Sequence, residues 1–394
     1  MKFRYKIMRK KIFWFLLSFA PFFSFSQRFL NPDYAEGNFN SGYIIKNHPQ
    51  FPDVSQPSFS GGIHLAYKLN GTKPWHKNYN YAELGFHFIY GSIGNKKVLG
   101  NFAGFVPEMI FPHRISNRLK ISESLGIGVS YFNAPYNQVS NPENIVIGSH
   151  ITFFAMAAVS IEYKLNKNFS VMLRPSIYHS SNAHTALPNV GMNIPSVGIG
   201  VKCMLHEMPS IMPADSVFTY DKKIHFNMRL GLGINEQGGS TGPPKGPKYP
   251  VYIASFFITK NFSTVNKVQL GIEGWYNTGV HDYITSQDYY DDQEKIKSAA
   301  VVFFLGHEFL VGHFSLVAQG GIYLYNPFYR DKLKSDNVTS FKQKLKTVFP
   351  ARLGYHYYLF DSTIKHRHNL FVAIYVKTNL GQADFLDTGI GYTF

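Results

Sequence analysis

The sequence has little cysteine, little charge and, after its first two dozen residues, no long apolar run. Cys203 is the only cysteine among 394 residues, so no internal disulfide can form. No later apolar stretch approaches the roughly 18 residues that a membrane-spanning helix needs, which excludes a polytopic helical membrane protein. The chain also shows no zinc spacing, dinucleotide fingerprint or nucleic-acid-binding motif. We therefore expect no cofactor, no metal and no nucleic-acid partner.

Apolar and aromatic residues are abundant instead. The chain is 45% hydrophobic and only 16% charged, with 36 Phe, 26 Tyr and 33 Gly. Such a composition excludes a disordered chain or a coiled coil. The formal net charge is +15, but six of the basic residues fall within the first eleven positions, and residues 1–26 contain no acid. The remaining basic excess is moderate.

Residues 1–26 have the layout of a cleavable secretory signal peptide. Six basic residues precede the apolar run 12–25, which Pro21 interrupts and which is too short for a membrane anchor. Ser24 and Ser26 supply small side chains at the −3 and −1 positions before Gln27. No cysteine follows the cut directly, so a lipid anchor is not expected. Export without disulfides is typical of a bacterial envelope protein.

Alternation with a period of two dominates the rest of the chain. The segment 224–234 has a wholly apolar even face and an odd face of polar residues and glycine. Residues 82–91 and 268–273 repeat this pattern. Alternation of this kind predicts strands with one apolar face. A soluble sandwich would give the same pattern, so alternation alone does not decide between a sandwich and a membrane barrel.

Three observations favour a transmembrane barrel. About eight strand segments lie in residues 37–205 and about eight in 223–394, an even number in each half. Tight connections (165–168, 262–266 and 311–314) alternate with long ones (133–144, 237–248, 279–297 and 326–340). The chain ends in 387–394 (DTGIGYTF), which resembles the terminal signal of outer-membrane barrels. We predict an all-β fold: a transmembrane antiparallel β-barrel of about 16 strands, folded by the barrel-assembly machinery into the outer membrane.

The two halves of the chain resemble each other. Residues 177–182 match 374–379, and residues 196–200 match 387–391. This similarity predicts a duplication, with a first repeat at 27–205, a periplasmic linker at 206–222 and a second, degenerate repeat at 223–394. Two eight-stranded barrels and one of sixteen both remain open, although the single terminal signal slightly favours one assembly unit. The oligomeric state also remains open.

A histidine and a serine lie two residues apart near the end of the strand predicted over 169–182. His179 and Ser181 occupy its odd face, which would touch lipid in a barrel. Residues i and i+2 share a strand face, so His179 could accept the proton of Ser181 as the serine attacks a carbonyl. From the spacing alone, the simpler explanation of this His/Ser pair is that both residues belong to the polar rim at the membrane interface.

The wider segment favours the catalytic interpretation. Residues 179–183 (HSSNA) and 188–193 (PNVGMN) resemble the active-site segment of the lipid A 3-O-deacylase family, also called acyloxyacyl hydrolases. The family pattern is His-x-Ser-Asn-Ala, a short loop, then Pro-Asn-x-Gly-x-Glu, and only its last position differs here. Residues 144–150 and 383–385 extend the similarity.

The resemblance implies an outer-membrane serine esterase that removes an ester-linked 3-hydroxyacyl chain from lipid A in lipopolysaccharide, among the surrounding outer-membrane lipids. Ser181 would be the nucleophile, His179 the general base, and Asn182 with nearby backbone N–H groups an oxyanion stabiliser. The family's orienting glutamate falls on Asn193, whose amide can still accept a hydrogen bond from the imidazole but cannot neutralise the imidazolium. Our candidate for the negative charge that would neutralise the imidazolium is the carboxylate of Glu143, in the adjacent outside loop.

Several further residues belong to this hypothesis. Ser149 and His150 open the preceding strand at the same outer end and could bind sugar or phosphate, although a polar rim also explains them. Val376 and Thr378 replace the histidine and serine in the second repeat, which should therefore be catalytically silent. Its outside loops carry cations that could meet lipid A phosphates: Lys245, Lys248 and Arg330.

Two other functions remain open. One is a barrel without enzymatic activity, either a channel or an envelope scaffold, which the Asn193 replacement and the silent second repeat favour. The other is a phospholipase that uses the same Ser/His pair on glycerophospholipids.

Overall fold

The computed structural model describes residues 31–207, 220–337 and 339–394. The predicted signal peptide and most of the predicted linker lie outside these described residues. Within them, no helix combines the length and apolarity needed to cross a membrane.

Eight antiparallel strands of the first repeat close into a barrel in chain order, because the last strand pairs with the first. Phe39 of the first strand lies opposite Ile199 of the last. The strands are β1 (Tyr34–Gly42), β2 (Ser58–Lys68), β3 (Glu83–Ile93), β4 (Asn101–Arg114), β5 (Leu119–Phe132), β6 (Ile151–Lys164), β7 (Phe169–Ser181) and β8 (Met192–Met204).

The second repeat closes separately. Leu230 of its first strand lies opposite Ile390 of its last. Its strands are β9 (Ile224–Glu236), β10 (Lys248–Asn261), β11 (Asn266–Asn277), β12 (Ala299–Val311), β13 (Phe314–Tyr325), β14 (Pro350–Tyr358), β15 (Asn369–Asn379) and β16 (Gln382–Thr393). The predicted antiparallel barrel fold is confirmed, and its strands form two eight-stranded barrels instead of one of sixteen.

Each barrel has an apolar outer wall, and its interior combines buried polar and charged groups with an apolar cluster. On β9, Leu230 is 62% exposed, whereas the neighbouring Arg229 is buried and paired with Glu273 and Asp387 across the interior. In the first barrel, buried Arg174 lies beside Glu36, and His64 lies 2.9 Å from Glu108. An apolar outer wall around a polar interior is the pattern of a barrel that faces lipid. The protein is an outer-membrane β-barrel.

Five short helices lie in the connections that the structure describes, and the sequence did not predict them. They are α1 (Pro74–Asn78), α2 (Thr278–Ser286), α3 (Glu294–Lys297), α4 (Pro327–Ser335) and α5 (Phe341–Lys346). Local capping explains α2, because the Asn277 side chain accepts hydrogen bonds from the first free backbone N–H groups, those of Gly279 and Val280. The last four helices lie in the long outer loops of the second barrel, where the backbone has no neighbouring strand to pair with.

The barrels contact each other at both ends. At the inner end, Trp75 of the first barrel packs in one apolar cluster with Val265 of the second. Between the walls, the Tyr355 hydroxyl donates to the Ile127 carbonyl at 3.4 Å. At the outer end, the β7–β8 loop of the first barrel meets the β9–β10 loop of the second.

Candidate active site

Strands β7 and β8 bring His179 and Asn193 directly opposite each other. The odd residues of β7 point outward, so His179 is exposed on the lipid side, as the sequence predicted. Its Nδ1 lies 2.9 Å from Oδ1 of Asn193. We assign this contact as Nδ1–H donating to the amide oxygen, which leaves Nε2 free to accept a proton.

Ser181 is the last residue of β7 and is half-buried. Its Oγ accepts two hydrogen bonds, from Nδ2 of Asn189 at 2.9 Å and from the backbone N–H of Ala183 at 3.3 Å. Both donors belong to the β7–β8 loop, residues 182–191, which we call the active-site loop. The loop therefore fixes the serine hydroxyl from one side.

His179 and Ser181 border one common space beside Gly191. A Cβ added at Gly191 would lie 3.6 Å from Ser181 Cβ and 3.7 Å from His179 Cε1. Within the described residues the imidazole and the hydroxyl are not hydrogen-bonded to each other. Catalytic hydrogen bonds are often loose without substrate, so the two groups remain compatible with a catalytic pair.

Asn182 is buried; its backbone N–H and its Nδ2 are hydrogen-bonded within the loop, whereas its Oδ1 has no described partner. Its backbone N–H donates to Oδ1 of Asn189 at 3.2 Å, and its Nδ2 donates to the Ala186 carbonyl at 2.7 Å. The side chain that contacts the serine is Asn189, which the sequence placed in the motif but not among the site residues. Its position in the Pro-Asn-x-Gly segment was the signal that could have identified it.

The other predicted residues lie farther from this chemistry. Glu143 is exposed in the β5–β6 loop, and no described hydrogen bond or ion pair joins its carboxylate to His179. Ser149 donates to the Ile151 carbonyl at 2.8 Å, and His150 Nδ1 lies 2.7 Å from the Phe132 carbonyl. Both side chains are thus engaged with backbone groups of the barrel rim.

The corresponding end of the second barrel has a different construction. Val376 and Thr378 are half-buried on β15, and the Thr378 hydroxyl donates to the Ala351 carbonyl at 3.4 Å. A two-residue turn, residues 380–381, stands where the first barrel has the active-site loop. No second copy of the Ser, His and loop arrangement is present among the described residues.

The three loop cations are not clustered. Lys248 donates to the Thr185 carbonyl of the active-site loop at 2.6 Å, and Lys245 is exposed in the same β9–β10 loop. Arg330 pairs with its neighbour Asp331 at 3.5 Å, within α4. Across the described part of the chain, no group of three or more His, Cys, Asp or Glu side chains is placed to hold a metal ion.

Comparison with protein families matches both barrels. Residues 60–202 match the model of lipid A 3-O-deacylase (PagL), and residues 224–394 match that of the acyloxyacyl hydrolase C-terminal domain. A search of curated proteins gave no match.

Three solved structures show distant similarity. The outer membrane enzyme PagL is 17% identical, covers 42% of this chain and 97% of its own, and has a TM-score of 0.29. The N-terminal β-barrel domain of Pseudomonas aeruginosa OprF is 12% identical over 43% and 98% of the chains, with a TM-score of 0.27. Outer membrane phospholipase A from Escherichia coli is 11% identical over 92% and 97%, with a TM-score of 0.19. TM-scores this low carry no functional argument.

The assignment to a family therefore rests on the two family models. Together they cover most of β2 and the strands of both barrels from β3 onward. The chain belongs to the lipid A 3-O-deacylase and acyloxyacyl hydrolase family, a family of hydrolases, and joins two of its barrels in tandem.

Proposed function

We propose that the protein is a serine esterase that hydrolyses an ester-linked acyl chain of lipid A. The observation that carries this proposal is the lateral constellation on β7 and β8. His179 is hydrogen-bonded to Asn193, and Ser181 follows two residues later, so that both side chains lie near Gly191. An exposed histidine and a half-buried serine at the edge of a lipid-facing wall suit a substrate that stays in the outer leaflet.

The reaction follows the logic of a serine hydrolase. Ser181 Oγ attacks the ester carbonyl while its proton passes to Nε2 of His179. The tetrahedral intermediate collapses by breaking the bond to the sugar oxygen, which takes the proton back from the imidazolium. Water, activated by the same imidazole, then hydrolyses the acyl-serine and releases the fatty acid. Asn193 keeps the imidazole in the tautomer that these steps need.

The oxyanion that forms in each step needs hydrogen-bond donors nearby. We assign this role to the N–H of Ala183 and Nδ2 of Asn189, the two donors that contact Ser181 Oγ in the free enzyme. Removing one such donor typically lowers kcat by about 10²–10³. Asn182 supports them indirectly, because its backbone N–H fixes the orientation of the Asn189 amide.

The filled interiors favour an enzyme over a channel. An eight-stranded barrel is just wide enough for side chains to fill. Here buried charged groups cross the interior of each barrel, as in the pair between Lys202 and Glu162 at 3.2 Å and that between Arg352 and Asp387 at 2.7 Å. Chemistry on the outer wall does not require an open pore.

The experiment is expression of the full chain in a Gram-negative host, followed by mass spectrometry of lipid A. Wild type should produce lipid A that lacks one hydroxyacyl unit, whereas Ser181→Ala and His179→Ala should leave lipid A intact. Thr378→Ala is the matched control at the corresponding position of the second barrel, and it should retain full activity. Unchanged lipid A with wild type, across hosts of different acylation pattern, would contradict the proposal.

A parallel assay separates the phospholipase alternative. Purified protein is offered phospholipid vesicles and lipopolysaccharide, and released fatty acid is measured. We expect release from lipopolysaccharide that depends on Ser181. Release from phospholipid alone would assign the same pair to a different substrate.

A further inference from the structure

The active-site loop of the first barrel is bound by the second barrel. Five hydrogen bonds join residues 184–189 to the end of β9, to the loop that follows it and to Lys248, the first residue of β10. Four loop residues, Ala183, His184, Leu187 and Asn189, are at most 6% exposed. The loop is therefore packed between the two repeats at the outer end of the molecule.

Glu236, the last residue of β9, is central to this contact. It is only 2% exposed, and its carboxylate accepts hydrogen bonds from the N–H of Leu187 at 3.2 Å and from the N–H of Gly246 at 2.7 Å. Its own backbone N–H donates to the His184 carbonyl at 3.1 Å. A buried carboxylate that is satisfied by backbone donors fixes both loops, because losing it would leave those donors without a partner.

A second connection leads directly to the nucleophile. The backbone N–H of Asn189 donates to the Ser240 carbonyl of the second barrel at 2.7 Å, while its side chain donates to Ser181 Oγ at 2.9 Å. One residue thus joins the second barrel to the reactive hydroxyl. Leu187 adds apolar packing, since a Cβ at Gly238 would lie only 2.8 Å from its Cδ1.

We propose that the second barrel, although it lacks a catalytic pair, completes the active site by holding the active-site loop, and that Glu236 is the positioning residue. Its role is to keep Ala183 N–H and Asn189 Nδ2 aimed at the reacting centre. This inference rests on the proposed function for the identity of the site, but not on lipid A as substrate.

The test uses the purified full-length protein and two readouts. Amide hydrogen exchange over residues 182–191 reports how firmly the loop is held. Hydrolysis of a p-nitrophenyl fatty acyl ester gives kcat and KM independently of lipid A. Glu236→Ala should speed exchange at Leu187 and Asn189 at least tenfold and lower kcat about tenfold with KM little changed. Glu236→Gln, which keeps one acceptor oxygen, should lie between.

Glu308→Gln is the matched control. Glu308 is another fully buried carboxylate of the second barrel, bound by Gln269 and Tyr358, but it lies on β12 inside the wall. Glu308→Gln should change the free energy of unfolding without changing kcat or amide exchange in the active-site loop. If Glu236→Ala does not fold, Lys248→Gln is the second variant, because it removes only the hydrogen bond to the Thr185 carbonyl. We expect faster amide exchange in the active-site loop and a lower kcat.

The outcomes separate the two proposals. Unchanged loop exchange in the Glu236 variants, or faster exchange with unchanged kcat, would overturn the positioning role. A wild type that hydrolyses the model ester but not lipid A would overturn only the substrate. A wild type that hydrolyses neither would overturn both.

Discussion

At the scale of single residues, the site departs from its family at the orienting position. Asn193 accepts a hydrogen bond from the imidazole and so can set its tautomer. It carries no charge, however, and could not stabilise the imidazolium that the proposed attack by Ser181 would produce. Glu143 is exposed in its loop without a described contact to His179. If the proposed mechanism holds, we expect a slower enzyme than one with glutamate at this position, because the hydrogen bond is kept and the ion pair is lost.

Substitution at this position provides the first residue-level prediction. Asn193→Glu should raise kcat about tenfold, which corresponds to about 1.4 kcal/mol of transition-state stabilisation. Asn193→Leu, of similar size but without an acceptor, should lower kcat by at least a similar factor. Steady-state kinetics with a soluble fatty acyl ester measures both. Full activity in the leucine variant would show that Asn193 does not orient the imidazole.

At the scale of the elements, alternation predicted the strands and their faces well. The odd residues of β7 from Phe169 to His179 are exposed and the even ones are buried apart from half-buried Ser176, as the alternation indicated, whereas Ser181 at the end is half-buried. Local patterns could not reveal that β8 pairs with β1, since closure depends on pairing between strands far apart in the chain. Nor could they show that the Asn189 amide contacts Ser181, because that contact depends on how the loop folds back.

The lipid-facing assignment of β7 can be tested by stability. Leu173, near the middle of the strand, is 44% exposed on the outer face. Leu173→Lys should reduce the free energy of unfolding from lipid vesicles by about 2–4 kcal/mol, whereas Phe169→Lys at the strand's inner end should cost about 0–1 kcal/mol. Urea titration in vesicles measures the difference. Equal, small losses at both positions would contradict a membrane-facing wall.

At the scale of the whole molecule, the two barrels differ at the corresponding ends of their strands. The first barrel carries the Ser181 and His179 pair with a ten-residue loop, and the second has Val376 and Thr378 with a two-residue turn. The internal match between residues 177–182 and 374–379 indicated two related halves, and the catalytic silence of the second half stays a prediction. The match could not predict that the second barrel contacts the active-site loop, because Glu236 belongs to no motif and its role appears only when the barrels pack.

The most direct test of the account is covalent labelling of the intact chain in its membrane. A long-chain alkyl fluorophosphonate, which reacts with activated serines, is applied to outer membranes, and the labelled peptides are mapped by mass spectrometry. We predict one label per chain, on Ser181, absent from Ser181→Ala and strongly reduced in His179→Ala. No label, or a label on another serine or on Thr378, would contradict the claim that Ser181 is the nucleophile at the lipid-facing wall.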